Sequence, residues 1–174
     1  MKKREILIPV LMTGILGSII YLYFGLFPYG ELTVAWCDAR QQVVPLLMDL
    51  KDILNGDQSA FLNLQNAGGM DLWGVLFFFA ASPLHLLTAF VPKENMFDLF
   101  NVLVLLKMML AAGTAFLYFR KRFIRLGTGL SCVLAAMYAF SGFALMFYQN
   151  IIWLDTAYLF PLLLYGLDRL FDER

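Results

Sequence analysis

The sequence has little charge for its length. Only 15% of the 174 residues are charged, while 61% are hydrophobic and the mean hydropathy is +0.72. Soluble domains usually have about 25% charged and about 45–50% apolar residues. A chain with so few polar side chains cannot cover a compact core, which excludes a soluble globular protein. The composition therefore predicts an integral membrane protein.

Metal-binding side chains are also scarce. The chain has one histidine, His85, and two cysteines, Cys37 and Cys132, and none of them has the spacing of metal ligands. The topology predicted below puts the two cysteines toward opposite faces of the bilayer, so we expect two free thiols. The formal net charge is zero, so no global field would recruit nucleic acid.

What the sequence does have is long apolar runs. About 20 residues of α-helix cross the roughly 30 Å of hydrocarbon in a bilayer. The first run is longer than the apolar region of a signal peptide and has no A-x-A-like cleavage site, so we predict a retained anchor. The predicted spans are residues 6–27, 97–119, 128–148 and 152–170.

A fifth apolar run, Leu72–Val91, is interrupted by Ser82-Pro83, which is typical of an N-cap followed by proline at the first helical position. If this run does not span, the outer side holds only Arg40, Lys51 and Lys93. The positive-inside rule prefers that arrangement, with a re-entrant or interfacial run. The cytoplasmic side then receives Lys2, Lys3, Arg4, Arg120, Lys121, Arg122, Arg125, Arg169 and Arg174.

These choices predict an all-α membrane module with four spans, both termini in the cytoplasm, and an outer loop of about residues 28–95. Within that loop, apolar residues recur at helical spacing from Val43 to Leu54, and Asn55-Gly56 ends the pattern. The helix is expected to lie in the membrane interface or to pack on protein. Residues 58–70 are polar and predict an irregular loop.

Lys107 stands near the middle of the second predicted span. A lysine there costs about 2.5–3.5 kcal/mol on insertion scales, so its ammonium should face the bundle interior or a wet cavity. Two interpretations remain open. The ammonium forms a structural pair with a carboxylate or carbonyl, or it holds an anionic group such as a lipid phosphate.

Two aspartates, Asp38 and Asp155, each precede or begin a predicted helix on the outer side. Each is explained equally well as an N-cap. Together they could also act as general base and orienting partner, or hold a divalent cation such as Mg²⁺ or Mn²⁺. Arg40 adds a guanidinium of the kind that binds phosphate through two hydrogen bonds. This combination suits glycosyl transfer from a polyprenyl-phosphate sugar.

Four stretches of the chain resemble the YfhO-type bacterial membrane proteins, a family placed among GT-C-type glycosyltransferases. They occur in family order from about Tyr21 to Leu170. In sequence they are "CDARQQVVPLLMDL", "NAGGMDLWG" followed by "SPLHLLTAFVP", "LLKMMLAAGTAFLYFRKR" and "YQNIIWLDTAYLFPLLLYGLDRL". Family chains are several times longer, so the resemblance indicates the amino-terminal module, residues 1–174, of a longer protein.

The resemblance implies that this module is part of an enzyme that transfers a sugar from a polyprenyl-phosphate donor to a cell-envelope polymer, such as teichoic acid, on the outer face of the bacterial plasma membrane. The module by itself is expected to be inactive. By the same carry-over, Asp38 activates the acceptor and Asp155 is the second acidic residue of the site. Many GT-C enzymes have paired acids in the first loop, whereas Ala39 follows Asp38 here, so no metal requirement is predicted. The residues predicted to bind substrate are Arg40, Gln41, Lys107, Gln149 and Trp153.

Two other functions fit the same residues. A transporter or flippase of lipid-linked sugars would also need Lys107 inside the membrane and carboxylates at a cavity mouth. A non-catalytic scaffold would not need its polar groups to converge on one cavity.

Overall fold

The computed structural model describes residues 3–64 and 69–172, and these residues are mostly helical. Two strands of two residues each form a minimal antiparallel pair. A 3₁₀ helix precedes the longest α-helix. The elements in order are α1 (Leu7–Phe24), α2 (Val44–Asn55), β1 (Leu62–Asn63), β2 (Met70–Asp71), α3 (Leu72–Phe79), the 3₁₀ helix Pro83–Phe90, α4 (Met96–Arg122), α5 (Thr128–Ala139), α6 (Gly142–Phe147) and α7 (Trp153–Asp172).

Three helices of the described residues are long and apolar enough to cross a membrane. They are Arg4–Phe24, Lys93–Arg122 and Thr128–Phe147, the last of which joins α5 and α6. They coincide with the first three predicted spans. The expected class, an all-α membrane protein, is therefore confirmed.

The fourth predicted span, residues 152–170, corresponds to α7, which does not meet the same standard of length and composition. Its 20 residues would extend about 30 Å, but every stretch of 18 residues in it contains Asp155, Asp168 and Arg169. Each of the other three helices has a stretch of that length with at most two charged residues. Most contacts of α7 are with α4, and it runs in the same direction as α4. Asp155 lies beside Lys107 at one end, and Asp168 lies 3.9 Å from Arg122 at the other.

Glycines allow α1 to approach α4 closely. A Cβ atom at Gly17 would lie 2.3 Å from Leu105, one at Gly14 would lie 3.0 Å from Met109, and one at Gly113 would lie 3.0 Å from Val10. Small residues of this kind are common where membrane helices pack, because they bring the backbones together. Between α4 and α5 the same part is taken by alanines, of which Ala111, Ala112, Ala115, Ala135 and Ala139 are buried.

The predicted amphipathic helix is present as α2, and Gly56 ends it in the left-handed conformation, as Asn55-Gly56 indicated. Val44, Leu46 and Leu47 on its apolar face are buried against protein, in one core cluster with Met96 and Phe100 of α4. Of the two settings predicted for this helix, packing on protein is the one observed.

Polar residues on the opposite side of α2 tie it to its neighbours. Lys51 donates a hydrogen bond to the carbonyl of Ala89, 3.1 Å away, and Lys93 pairs with Asp52 at 2.5 Å. Asp49 accepts a hydrogen bond from Asn63 in β1. The strands β1 and β2 occupy part of the predicted irregular loop, so that prediction was wrong at those positions, while residues 65–68 lie outside the described residues.

The interrupted run 72–91 forms a sharply bent pair, since the axes of Trp73–Phe79 and Pro83–Phe90 differ in direction by 106°. The break falls at Ser82-Pro83, where it was predicted, although the second limb is a 3₁₀ helix and the Ser82 side chain caps nothing. The limbs are about 12 Å and about 16 Å long at standard helical rises. With this bend their far ends are roughly 15–20 Å apart, which is well short of the roughly 30 Å hydrocarbon layer.

Candidate functional site

Lys107 is the centre of a buried polar cluster that joins three elements. Its side chain has no exposed surface and lies on α4. The ammonium Nζ is 2.5 Å from Oδ1 of Asp155 on α7, 2.9 Å from Nε2 of His85 on the 3₁₀ helix, and 3.0 Å from the carbonyl oxygen of Ile151. Two donors of the ammonium thus have hydrogen-bond acceptors, His85 and Ile151, and the Asp155 carboxylate neutralises its charge as an ion-pair partner.

His85 is held in a defined tautomer by its two neighbours. Its Nδ1 lies 3.0 Å from the carbonyl oxygen of Ala80, which can only accept a hydrogen bond. The proton of the neutral ring is therefore assigned to Nδ1. Nε2 is then free to accept from Lys107, so one ring links the bend of residues 80–82 to α4.

Asp155 lies in the first turn of α7, where the positive end of the helix dipole also stabilises a carboxylate. Only 8% of its surface is exposed. The hydroxyl of Tyr158, one turn further along α7, lies beside both Asp155 and the side chain of Ser82. The carboxylate therefore contacts a cation on one side and the hydroxyl of Tyr158 on the other.

These contacts match one of the two interpretations of Lys107, the structural pair with a carboxylate and a carbonyl. The ammonium already has an ion-pair partner and two hydrogen-bond acceptors, so a lipid phosphate would have to compete with Asp155 for its charge. Among the described residues, Lys107 therefore contacts a predicted site residue, Asp155, and holds it in place.

Asp38, Arg40 and Gln41 lie on a short segment between α1 and α2. Asp38 is partly exposed and Arg40 and Gln41 are exposed, whereas Ala39 between them has no exposed surface. Residues 39–43 form one π-helical turn, closed by a hydrogen bond from the amide of Val44 to the carbonyl of Ala39. Such turns are rare and frequently occur at functional sites.

A second unusual backbone conformation stands directly before Asp38. Cys37 has φ of +48°, in the left-handed region that residues other than glycine rarely adopt. Such conformations persist only where the surrounding structure enforces them. Asp38 is thus held between a left-handed residue and a π-helical turn.

The surrounding structure is anchored to α4 by Asn101, which is fully buried. Its Oδ1 accepts hydrogen bonds from the Thr33 hydroxyl at 2.8 Å and from the Val34 amide at 2.9 Å, and its Nδ2 donates to the carbonyl of Leu32 at 3.2 Å. The hydroxyl of Tyr21 on α1 donates to the backbone carbonyl of Asn101. The Asn101 side chain therefore fixes the start of the segment between α1 and α2 to α4. The Tyr21 hydroxyl links the same residue to α1.

The two predicted acids do not contact each other. No hydrogen bond or ion pair of the described residues joins Asp38 to Asp155. They are related through the core beneath them, because Ala39, next to Asp38, and Leu154, next to Asp155, belong to the same cluster of buried residues. Trp36 also interacts with the hydroxyl of Tyr148, in the turn that leads to α7.

Gln149 and Trp153, the remaining predicted substrate contacts, flank that turn. Both are partly buried, and the Gln149 Oε1 has no hydrogen-bond partner. The Trp153 ring packs against Phe147 with a centroid distance of 5.4 Å. Among the described residues, neither side chain forms a hydrogen bond or ion pair with Lys107, Asp155 or Asp38.

A divalent cation does not fit these residues. Oδ1 of Asp155 is paired with Lys107, and Asp38 is followed in sequence by Ala39 instead of a second acid. Within residues 3–64 and 69–172, no group of three or more His, Cys, Asp or Glu side chains could hold a metal. No step of the mechanism below involves a metal ion. Both cysteines are free, with Cys37 exposed and Cys132 buried.

Two residues of this arrangement were not predicted from the sequence. His85 was considered only as a metal ligand, although a lone histidine after a helix break in an apolar run is a candidate partner for a buried lysine. Asn101 stands alone in an apolar stretch of α4. An amide in such a place needs partners, and that need was the signal for its role.

The comparisons with known proteins agree with the sequence motifs. A family model described as bacterial membrane protein YfhO matches residues 6–174. No curated protein and no solved structure matches the chain significantly. Because the family model covers nearly all of it, the chain belongs to the YfhO family of bacterial membrane proteins.

Proposed function

We propose that this chain is the amino-terminal part of a membrane glycosyltransferase that moves a sugar from a polyprenyl-phosphate donor to a cell-envelope polymer on the outer face of the bacterial plasma membrane. The observation that carries the proposal is the backbone around Asp38. A left-handed residue and a π-helical turn present this carboxylate beside an exposed guanidinium and an exposed amide.

In the proposed reaction, Asp38 is the general base. A hydroxyl of the acceptor polymer attacks the anomeric carbon of the sugar and forms a new C–O bond. The bond between that carbon and the phosphate oxygen breaks, and its electron pair leaves with the polyprenyl phosphate. Asp38 takes the hydroxyl proton, as general bases do when they lie within hydrogen-bonding reach.

Arg40 and Gln41 bind the substrate in this scheme. A guanidinium forms two parallel hydrogen bonds with a phosphate, so Arg40 suits the leaving phosphate, on which negative charge develops. The amide of Gln41 suits sugar hydroxyls, because it both donates and accepts. Both side chains are exposed beside Asp38, where a substrate can reach them.

Asp155 is proposed to shape the site from the side of the core, and its ion pair with Lys107 holds it in place. Gln149 has a buried oxygen without a partner close to the turn that Trp36 contacts, and it is therefore a candidate for a substrate hydrogen bond. Trp153 is proposed to form an apolar surface of the substrate site beside the same turn.

The proposal is tested by replacing Asp38 with asparagine in the protein as cells produce it. Asn has the same shape but is not a base, so sugar incorporation into the envelope polymer should fall about 100-fold or more. Glu31→Gln is the matched control, since Glu31 is an exposed carboxylate of the same outer segment. Unchanged incorporation in Asp38→Asn would overturn the proposal.

Transport of lipid-linked sugars is separated by where the donor is supplied. With purified protein in liposomes and donor added only on the side that Arg40 faces, a transferase forms product without moving the donor. A transporter would form none and would instead carry labelled donor across the bilayer. The side that Arg40 faces is established first, by labelling a cysteine placed at Glu31 with an impermeant reagent.

A further inference from the structure

We infer that the bent segment 72–90 is a re-entrant hairpin that enters and leaves the bilayer on the side where α4 begins. We further infer that Lys107 and His85 are the positioning residues that fix the depth of its tip, residues 80–82. The first step is the depth of Lys107 itself, which follows from the helical rise of α4.

The apolar part of α4 lies between Asn101 and Arg120. At about 1.5 Å per residue these two residues are about 28 Å apart, which matches the roughly 30 Å hydrocarbon layer. Lys107 is six residues from Asn101 and is therefore about 9 Å inside the apolar zone. It is about 20 Å from the level of Arg120.

As a second step, the depth of Lys107 also gives the depth of the hairpin, because the two are in contact. His85 contacts Lys107 directly, so it lies at the same level. From there the 3₁₀ helix leads back to the start of α4, and Lys51 of α2 binds the carbonyl of Ala89 near its end. His85 is also bonded to the carbonyl of Ala80, so the bend lies at or below the level of Lys107.

The third step is that the first limb cannot carry the chain across. It is eight residues long, which corresponds to about 12 Å. Trp73, Phe77 and Phe78 on this limb are exposed aromatic residues, a surface suited to lipid. Ser82 and the ring of His85, by contrast, are buried, and the chain thus turns its polar groups toward Lys107 and its aromatic groups away.

The three partners of the Lys107 ammonium have different roles in this arrangement. Asp155 neutralises the charge, the carbonyl of Ile151 fixes the turn before α7, and His85 fixes the hairpin. The hairpin and the beginning of α7 are therefore held at one depth by one side chain. This conclusion is independent of the chemistry proposed for Asp38.

The experiment measures depth with spin labels in liposomes. Single cysteines are placed at Asp57, Ala81 and Glu94, all exposed, in protein whose Cys37 and Cys132 are replaced by serine and alanine. We expect impermeant reagent to reach positions 57 and 94 from the same side. We also expect collisional quenching to place the label at position 81 about 20 Å deeper than the label at position 94, which is 13 residues from Lys107.

Two outcomes would overturn the hairpin. If positions 57 and 94 react from opposite sides, the segment spans the bilayer. If they react from the same side but the label at position 81 is as shallow as the label at position 94, the segment lies in the interface. Neither outcome depends on sugar transfer, so the proposed function and this inference can fail separately.

The positioning role is tested with His85→Phe, which removes the link to the hairpin and leaves the Lys107–Asp155 pair in place. The label at position 81 should become more mobile and shallower, while a label at Thr156 on α7 should not change. Met109→Leu is the matched control on α4 and should leave both labels unchanged. An unchanged label at position 81 in His85→Phe, measured well below the melting temperature of the variant, would refute the positioning role.

Discussion

The buried pair of Lys107 and Asp155 gives the sharpest prediction about stability. Removing one partner of a buried ion pair leaves an uncompensated charge and costs about 3–5 kcal/mol, whereas replacing both by apolar residues is often neutral. Lys107→Met should be the worst single change. It leaves the Asp155 carboxylate unpaired and also leaves two neutral acceptors, His85 Nε2 and the Ile151 carbonyl, without a donor.

The three partners of Lys107 predict an order of effects. Lys107→Met should destabilise by about 5 kcal/mol, at the upper end of the range for a broken buried pair. Asp155→Asn should cost about 3 kcal/mol, since the amide oxygen still accepts from the ammonium but does not neutralise it. His85→Phe should cost about 1.5–3 kcal/mol, the contribution of one hydrogen bond to a charged group.

The assay is thermal unfolding in detergent, followed by the reaction of a thiol dye with Cys132 in a Cys37→Ser background. Cys132 is only 4% exposed and should react only when the helices separate. For a chain of this size 1 kcal/mol corresponds to about 2–4 °C, so Lys107→Met should lower the melting temperature by roughly 10–20 °C. Met109→Leu, a volume-conserving change two residues away, should move it by less than about 6 °C.

The double variant Lys107→Met with Asp155→Leu decides between an ion pair and two unrelated side chains. If the pair is the source of the destabilisation, the double variant should be at least about 2 kcal/mol more stable than the sum of the single changes predicts. Strict additivity would refute the reasoning, and so would a Lys107→Met variant as stable as Met109→Leu.

Three further changes test other parts of the structure by the same melting assay. Asn101→Ala removes the acceptor of the Val34 amide and should cost about 1–3 kcal/mol; no change would mean that the outer segment is held elsewhere. Gly30→Ala should destabilise by about 1–3 kcal/mol, because the new Cβ would lie 2.3 Å from the backbone oxygen of Gly25, whereas Gly74→Ala, with no heavy atom within 4 Å, should be neutral or slightly stabilising. Lys93→Gln should have a small effect that high salt removes, since the Lys93 side chain is 45% exposed and its pair with Asp52 is screened; a large loss would show that this pair holds α2 in place.

Local patterns in the sequence predicted local structure well. The apolar spacing from Val43 to Leu54 identified the buried face of α2, and Ser82-Pro83 identified the break in the bent segment. Both signals act within one or two turns, where the preferences of a few residues decide the backbone. The same is true of the three long apolar helices.

Partners that are distant in sequence were harder to predict. The burial of Lys107 required some acceptor, but His85 is 22 residues before it and Ile151 is 44 residues after it. Nothing in the periodicity of one helix says which residue of another helix it will meet. The π-helical turn and the left-handed conformation of Cys37 could not be predicted for a related reason. No residue among 39–43 requires a π-helix, and cysteine does not require a positive φ.

The pair that holds α4 and α7 together also bears on how the chain enters the membrane. The ammonium of Lys107 on α4, and the charges of Asp155, Asp168 and Arg169 on α7, each add to the cost of moving the helix that carries them into lipid. Contact between the ammonium and the carboxylate lowers that cost. We therefore expect the two helices to move from the translocon into lipid together. The ion pair of the folded protein therefore also bears on membrane insertion, where each of the two charges reduces the cost of the other.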